Sequence, residues 1–368
     1  MTHSVQLLGI SNAIVDVLSH IDDGFLDKIG AVPGSMTLVD LERARDIYSM
    51  MGPATEMSGG SVANTVAGFA ILGGSAAYIG RVKADQLGGI FNHDMRSLGV
   101  DIRLEPGENG APTARSHVLI SGDGQRTMQT YLGACTELGL KHITAETVGS
   151  PKVILIEGYV YDLPEGPVLA RKAMDIAAGN GSTVALSLSD SFCVERHRES
   201  FAAAVEDGVH IVVADEDEVN ALLQTQTFDD TLGALPDHDT LFVVTRSDKG
   251  SVIVRGDETI VQPANPVPEV VDTPEAEPDF EVAAAPEPVV PEPVVPDLPV
   301  PEFLSVDPAL EPPTQAGEAL MAPVGLAALT ASRETPALTG ATVMPNALPN
   351  VGRATPLPPR PAALADLI

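Results

Sequence analysis

Two short stretches of the chain gather residue types that could hold a polyhydroxylated molecule. SGGSVANTVAGFAILGG, Ser58 to Gly74, opens with two adjacent glycines directly before a run of helical period. Gly59 and Gly60 let the backbone approach a polar ligand closely, because neither carries a Cβ. Their amides, with the N-terminus of the following helix, can donate to hydroxyl or phosphate oxygens. Asn64 falls one turn into that helix and offers a donor and an acceptor together. The plainer reading is a tight turn at Gly59-Gly60, with Asn64 capping locally. The pattern is neither GxGxxG nor GxxxxGK[ST], so it is neither a dinucleotide fingerprint nor a P-loop. The second stretch is NAIVDV, Asn12 to Val17. Asp16 follows two branched apolar residues, an unusual setting for a carboxylate without a partner. There it could accept paired hydrogen bonds from a vicinal diol, or simply start a loop and cap an amide.

The elements that must position these residues are legible around them. VQLLGI (Val5 to Ile10), AAYIGRV (Ala76 to Val82), KVILIEG (Lys152 to Gly158), TVALSLS (Thr183 to Ser189), HIVVA (His210 to Ala214) and TLFVVT (Thr240 to Thr245) are short apolar runs bounded by turn-forming or polar residues. Buried strands of a parallel sheet have this form. Helix-period segments lie between them at 61–72, 86–98, 167–178, 195–205 and 216–223. The alternation predicts a three-layer α/β/α sandwich with a mostly parallel sheet. RSHVLISGDGQRTMQTYL, Arg115 to Leu132, alternates around Gly122-Asp123-Gly124 and predicts an antiparallel hairpin in a small side sheet. Ligands of open α/β sheets sit beyond the carboxyl ends of the strands, where the motifs fall.

Composition excludes several classes. Among 368 residues, Lys+Arg number 21 and Asp+Glu 51, a formal charge of -30. Such a chain does not hold a nucleic-acid backbone by counterion release, nor sit on an anionic membrane surface. Two distant cysteines, Cys135 and Cys193, make neither a disulfide framework nor a zinc site. With no leader-like start and no long apolar run, a cytoplasmic location is expected.

NAIVDV, SGGSVANTVAGFAILGG with AAYIGRVKADQLGGIF, GQRTMQTYLGACTELG, SFCVERHR and VVTRSDKGS together resemble the ribokinase-like (PfkB) carbohydrate kinases, adenosine-kinase type, over about residues 1–273. The resemblance implies a kinase that transfers the ATP γ-phosphate to a primary hydroxyl of a sugar or nucleoside. By position, Asp16 and Asn64 would bond the hydroxyls of a sugar or ribose, with Asn12 beside them and the ring lying against Gly59 and Gly60. The Arg115 to Leu132 hairpin would be part of a lid that excludes water. Thr245, Arg246 and Gly250 would border the nucleotide. The family's Asn-x-x-Glu motif, which helps organise Mg2+ and phosphates, matches Asp215 and Glu218 in ADEDEVNALL, so Asp replaces Asn. Glu218 would act on Mg2+ indirectly, through water or phosphate. The plainer role for Asp215 is to cap the helix that follows it. Homodimers paired through their lids are also found in such a family.

The family's second signature, Asp-Thr-x-Gly-Ala-Gly-Asp, is missing. There the glycines expose amides to the transferring phosphoryl group, and the last Asp takes the proton from the attacking hydroxyl. This chain reads VPEVVDT to Thr273 and then PEAEPDF. Glu275 and Glu277 stand in place of the glycines and Pro278 in place of the catalytic Asp, with Asp272 and Asp279 as displaced substitutes. Losing a positioned general base costs about 100- to 10,000-fold. Losing one oxyanion donor costs about another 100- to 1,000-fold. Poor turnover is therefore expected, and two other readings stay open: a non-catalytic binding module, and a truncated relic whose reading frame has changed after Thr273. Of 31 prolines, 23 fall in the last 106 residues, where PEPVV at 286–290 repeats at 291–295. That density blocks both helix and sheet, so residues 274–368 read as an acidic, disordered tail. Without the family's C-terminal elements, apolar sheet surface should stay uncovered.

Overall fold

The computed structural model describes residues 5–22, 24–235 and 239–265. Asp272, Pro278, Asp279 and the whole proline-rich region lie outside the described residues. The strands are β1 (Leu7–Ile10), β2 (Ile14–His20), β3 (Met36–Leu38), β4 (Thr55–Gly59), β5 (Ala76–Ile79), β6 (Asp101–Ile102) and β7 (Ala114–Ile120). They continue as β8 (Arg126–Tyr131), β9 (Val153–Glu157), β10 (Thr183–Ser187), β11 (Ile211–Asp215), β12 (Leu241–Thr245), β13 (Ser251–Arg255) and β14 (Glu258–Gln262). The helices are α1 (Phe25–Ile29), α2 (Leu41–Met50), α3 (Ser61–Ile71), α4 (Gln86–Ser97), α5 (Ala145–Val148), α6 (Gly166–Asn180), α7 (Ser191–Asp207), α8 (Glu216–Leu223) and α9 (Phe228–Ala234).

Nine strands form the main sheet, in the order β14-β13-β12-β11-β10-β9-β1-β5-β6. It is parallel from β6 to β12 and turns antiparallel only at β13 and β14. All six apolar runs read from the sequence are strands of this sheet, and the five helix-period segments are α3, α4, α6, α7 and α8. The runs are apolar throughout because each strand is packed on both faces. One face carries Leu8, Ile154, Leu186, Val212 and Val244 into a core shared with α6, α7 and α8. The other carries Leu7, Tyr78, Leu155 and Ala185 into a core shared with α3 and α4. This second layer ends at the start of β11, where Ile211 packs at its margin. Val213 on β11 is 36% exposed, so among the described residues the expected third layer covers only part of the sheet.

A second sheet of five strands, β3-β8-β7-β2-β4, forms the lid. The predicted hairpin is its β7–β8 pair, closed by the turn in which Gly124 N donates to Ser121 O. NAIVDV departs from the sequence reading. Asp16 neither starts a loop nor caps an amide; it lies in the middle of lid strand β2. Val15 and Val17 are buried on one side of that strand, and Ile14, Asp16 and Leu18 face the other, as the two-residue period requires. The chain therefore passes from β1 of the main sheet into the lid through Ser11–Ala13 alone.

Candidate functional site

The crevice forms where the lid meets the carboxyl ends of the parallel strands. The link between the sheets is pinned residue by residue. Ser11 Oγ bonds Tyr78 Oη of β5 at 2.8 Å. Asn12 N donates to Glu157 Oε2 of β9 at 2.9 Å. Cys135 Sγ donates to Ala13 O at 3.2 Å. Three elements distant in sequence thus hold three consecutive residues.

Glu157 also fixes the other side of the crevice. Its Oε1 accepts from Ser61 Oγ at 2.8 Å, and its carboxylate takes the Val62 amide as well. The N-cap residue of α3 is Gly60, which has no side chain, so one orphan amide of the helix, that of Val62, is met by a carboxylate from β9. Burial pushes the Glu157 carboxyl above its ordinary range, against the pull of these donors. Sequence reading missed Glu157. Its only local signal was a charge at the end of the apolar run VILIE, and its partners lie 145 and 96 residues away.

Asn12, Asp16, Gly59 and Gly60 come together. A Cβ on Gly59 would lie 2.2 Å from Asp16 Oδ2, and one on Gly60 would lie 3.0 Å from Asn12 O. Gly60 also holds a φ of +97°, which an L side chain rarely adopts. Asp16 accepts no hydrogen bond from a described residue. Burial raises its carboxyl to about 6, with Arg126 pulling the other way. Asn12 is 3% exposed, and its Oδ1 is buried without a partner among the described residues. The unpartnered Asn12 oxygen and the Asp16 carboxylate therefore lie next to a backbone stripped of side chains. Asn64 is exposed on α3, one turn beyond Gly60, whose carbonyl accepts the Asn64 amide at 2.8 Å.

Across the lid, Asp16 is level with Ser116, Ser116 with Thr130, and Thr130 with Leu38. Ser116 Oγ and Thr130 Oγ1 bond each other at 2.9 Å. Leu38 is 54% exposed and lines a cavity of about 230 Å³ with Thr130, Tyr131, Leu132 and Gly133. This face of the lid runs from a carboxylate to an apolar edge.

The remaining predicted residues form a second group at the ends of β11 and β12, where Asp215 is level with Thr245. Asp215 Oδ1 accepts from Glu218 N at 2.8 Å, while Glu218 Oε2 accepts from Asp215 N at 3.0 Å. This is a capping box, so the plainer role of Asp215 is present in the structure. Burial lifts Glu218 to about 7, and repulsion from Asp215, Asp190 and Asp217 adds to the shift. Arg246 is engaged on two sides: Nε donates to Glu216 at 2.9 Å and the guanidinium stacks on Phe228 at 4.0 Å. Gly250 is needed for packing, since a Cβ there would lie 2.0 Å from Gln262 O. Among the described residues no cluster of three metal-ligating side chains occurs, and no helix is long and apolar enough to cross a membrane.

Comparison with known proteins bears on the family and the fold. The family description "pfkB family carbohydrate kinase" matches residues 31–274. Guanosine-inosine kinase of Escherichia coli K12 is 22% identical over 233 residues, which make up 60% of this chain and 53% of that protein. Adenosine kinase 2 of Arabidopsis thaliana is 25% identical over 51% of this chain and 56% of that protein. The chain thus spans about half the length of the curated relatives it matches. Among solved structures, adenosine kinase from Sinorhizobium meliloti is 46% identical, with a TM-score of 0.69 over 73% of this chain and 83% of that one. A probable sugar kinase from Rhizobium etli CFN 42 is 44% identical, with a TM-score of 0.67 over 74% and 83%.

Proposed function

This chain belongs to the pfkB family of carbohydrate kinases, and from that premise we propose that its crevice binds a nucleoside and directs the primary hydroxyl toward ATP, with poor turnover. The observation that carries the reading is the Asp16 carboxylate, set against Gly59 with no hydrogen-bond donor to it among the described residues. A ribose diol supplies two donors to that carboxylate, and the bonds are charge-assisted. Asn12 Oδ1 and the Asn64 amide offer further contacts on the same ring. The apolar end of the lid, at Leu38 and Leu132, favours a base attached to the sugar over a free sugar. The relatives named as adenosine and guanosine-inosine kinases support the same class.

ATP is assigned to the group at Asp215, Glu218, Thr245, Arg246 and Gly250. Residues here fit a magnesium ion in one respect: Glu218 carries a charge that burial and three nearby carboxylates oppose, and a cation would relieve this. Glu218 would hold the ion through water or phosphate, and the ion would neutralise charge on the transferring phosphoryl group. The chain's own residues bind and orient the acceptor, and the lid excludes water. The proton of the attacking hydroxyl needs a base, for which Asp272 and Asp279 are the nearest substitutes in sequence.

A coupled assay with adenosine, guanosine, inosine and ribose, run beside calorimetry, tests the reading. Nucleoside binding that Asp16→Ala abolishes, with turnover at least about 1,000-fold below an ordinary kinase rate, is the expected result. Binding with turnover no higher than a no-enzyme control favours the non-catalytic module. No binding of any of the four ligands overturns both readings.

A further inference from the structure

Among the described residues, nothing roofs a row of apolar side chains on the main sheet. In register, Val213 of β11 lies beside Val243 of β12, Val243 beside Ile253 of β13, and Ile253 beside Ile260 of β14. Their sequence neighbours Val212, Val244, Val252 and Val254 point the other way, into the core under α6, α7 and α8. On the row's own face, the core under α3 and α4 takes in Leu155, Ala185 and, at its margin, Ile211 of β11, and Val213 lies beyond it. Val213 is 36% and Ile260 37% exposed, and Val243 and Ile253 are half-buried. A continuous apolar stripe across four strands is a surface that water leaves readily once something covers it.

We propose that the chain's own segment Pro286–Leu304, PEPVVPEPVVPDLPVPEFL, lies across this row. The described chain ends at Asn265, three residues past β14, the strand that carries Ile260. The 20 residues from 266 to 285 can span roughly 60 Å, more than enough to fold back over the sheet. Spacing also agrees. Val289-Val290 and Val294-Val295 are five residues apart, about 15 Å in a polyproline II chain. Four strands at their usual separation of roughly 4.8 Å place the ends of the row about 14 Å apart.

Backbone chemistry favours this occupant. Seven of the segment's 19 residues are proline and carry no amide donor, so laying it on side chains strands fewer polar groups than an ordinary strand would. Its stiffness keeps the entropy lost on docking small. Charge agrees as well. Arg255 lies two residues from Ile253 on the same face of β13, and its Nε is buried with no acceptor among the described residues. Glu287 and Glu292 precede the two valine pairs and would bring that acceptor.

Proximity cross-linking in the full-length chain tests the arrangement. Cys135 and Cys193 are both buried, so cysteines introduced at the surface react first. Ile260→Cys with Val294→Cys, treated with a short bis-maleimide, should join within one chain. The reaction should be at least about tenfold faster than for Glu199→Cys with Val294→Cys, because docking raises the effective concentration. Glu199 is exposed on α7, which packs on the opposite face of the sheet. Val213→Cys with Val289→Cys repeats the contrast at the other end of the row, should the first pair disturb β14. Equal rates at both faces overturn the proposal. A product that links two chains overturns it too, since a second copy then occupies the row.

Discussion

The carboxylate of Asp16 occupies the space where Gly59 would carry a side chain: an added Cβ would sit 2.2 Å from Oδ2. The lid strand β2 and its neighbour β4 are therefore matched at one point, a carboxylate against a bare backbone. Gly59→Ala should push Asp16 from its place and weaken nucleoside binding by about 10- to 100-fold, the worth of a hydrogen bond to a charged group. Calorimetry reads the affinity and thermal melting checks that the fold persists. Unchanged affinity would mean that Asp16 does not meet the ligand.

Protonation of Asp16 should compete with the ligand. Its carboxyl is raised to about 6, so at pH 5 only about a tenth is ionised and affinity should fall roughly tenfold from its value at neutral pH. Titrations at pH 5 and 7.5 measure this, with Asp16→Asn as the variant whose residual binding does not follow pH.

Two buried groups should give opposite slopes of stability with pH. Asp16 rises from 3.8 to about 6 on folding, so its contribution is fully present below about pH 4 and is lost as pH rises through 6. His117 falls from 6.5 to about 4, because burial beside Tyr48 of α2 and the charge of nearby Arg115 both oppose its protonation. Its contribution is present above pH 6.5 and is lost as pH falls through 4. Asp16→Asn should raise the melting point at pH 7 by about 3–6 °C and leave the chain more acid-labile than wild type. His117→Phe should have the reverse effect on acid lability. Melting curves from pH 4 to 7 decide it; parallel curves for all three proteins contradict both assignments.

Removing Glu157 strands the Asn12 and Val62 amides and the Ser61 hydroxyl. Glu157→Ala should cost about 2–4 kcal/mol in urea unfolding. Glu157→Gln keeps one acceptor oxygen and sheds a buried charge, so it should cost less. Equal losses would mean that the space filled matters rather than the bonds.

Asp215→Asn should leave stability within about 0.5 kcal/mol, since Asn caps helices as well as Asp. It also removes a negative charge beside Glu218 and should tighten ATP binding several-fold. Calorimetry with the nucleotide and thermal melting separate the two effects.

Periodicity made the main sheet readable, because strands packed on both faces must be apolar along their whole length. It also exposed the hairpin at Gly122-Asp123-Gly124. The lid's other strands were harder. In AIVDVLSH the buried residues alternate with Ile14, Asp16 and Leu18, but the run follows β1 so closely that it reads as a loop beyond it. Arg246, expected to border a nucleotide, is held by Glu216 and Phe228, and no spacing in the sequence ties these two to it. Glu157 is the deeper omission. A carboxylate whose donors come from two other regions of the chain carries no spacing of its own, and only the closed sheet brings Asn12, Ser61 and Val62 to it.

The three-residue bridge from β1 to β2 has a mechanical consequence. Asn12 and Gly60 stand beside the main sheet, anchored through Glu157, whereas Asp16 sits on lid strand β2. A guest gripped by all three would tie the two sheets together with its own body, a latch added to the bond from Ser58 N to Asp94 that already joins β4 to α4.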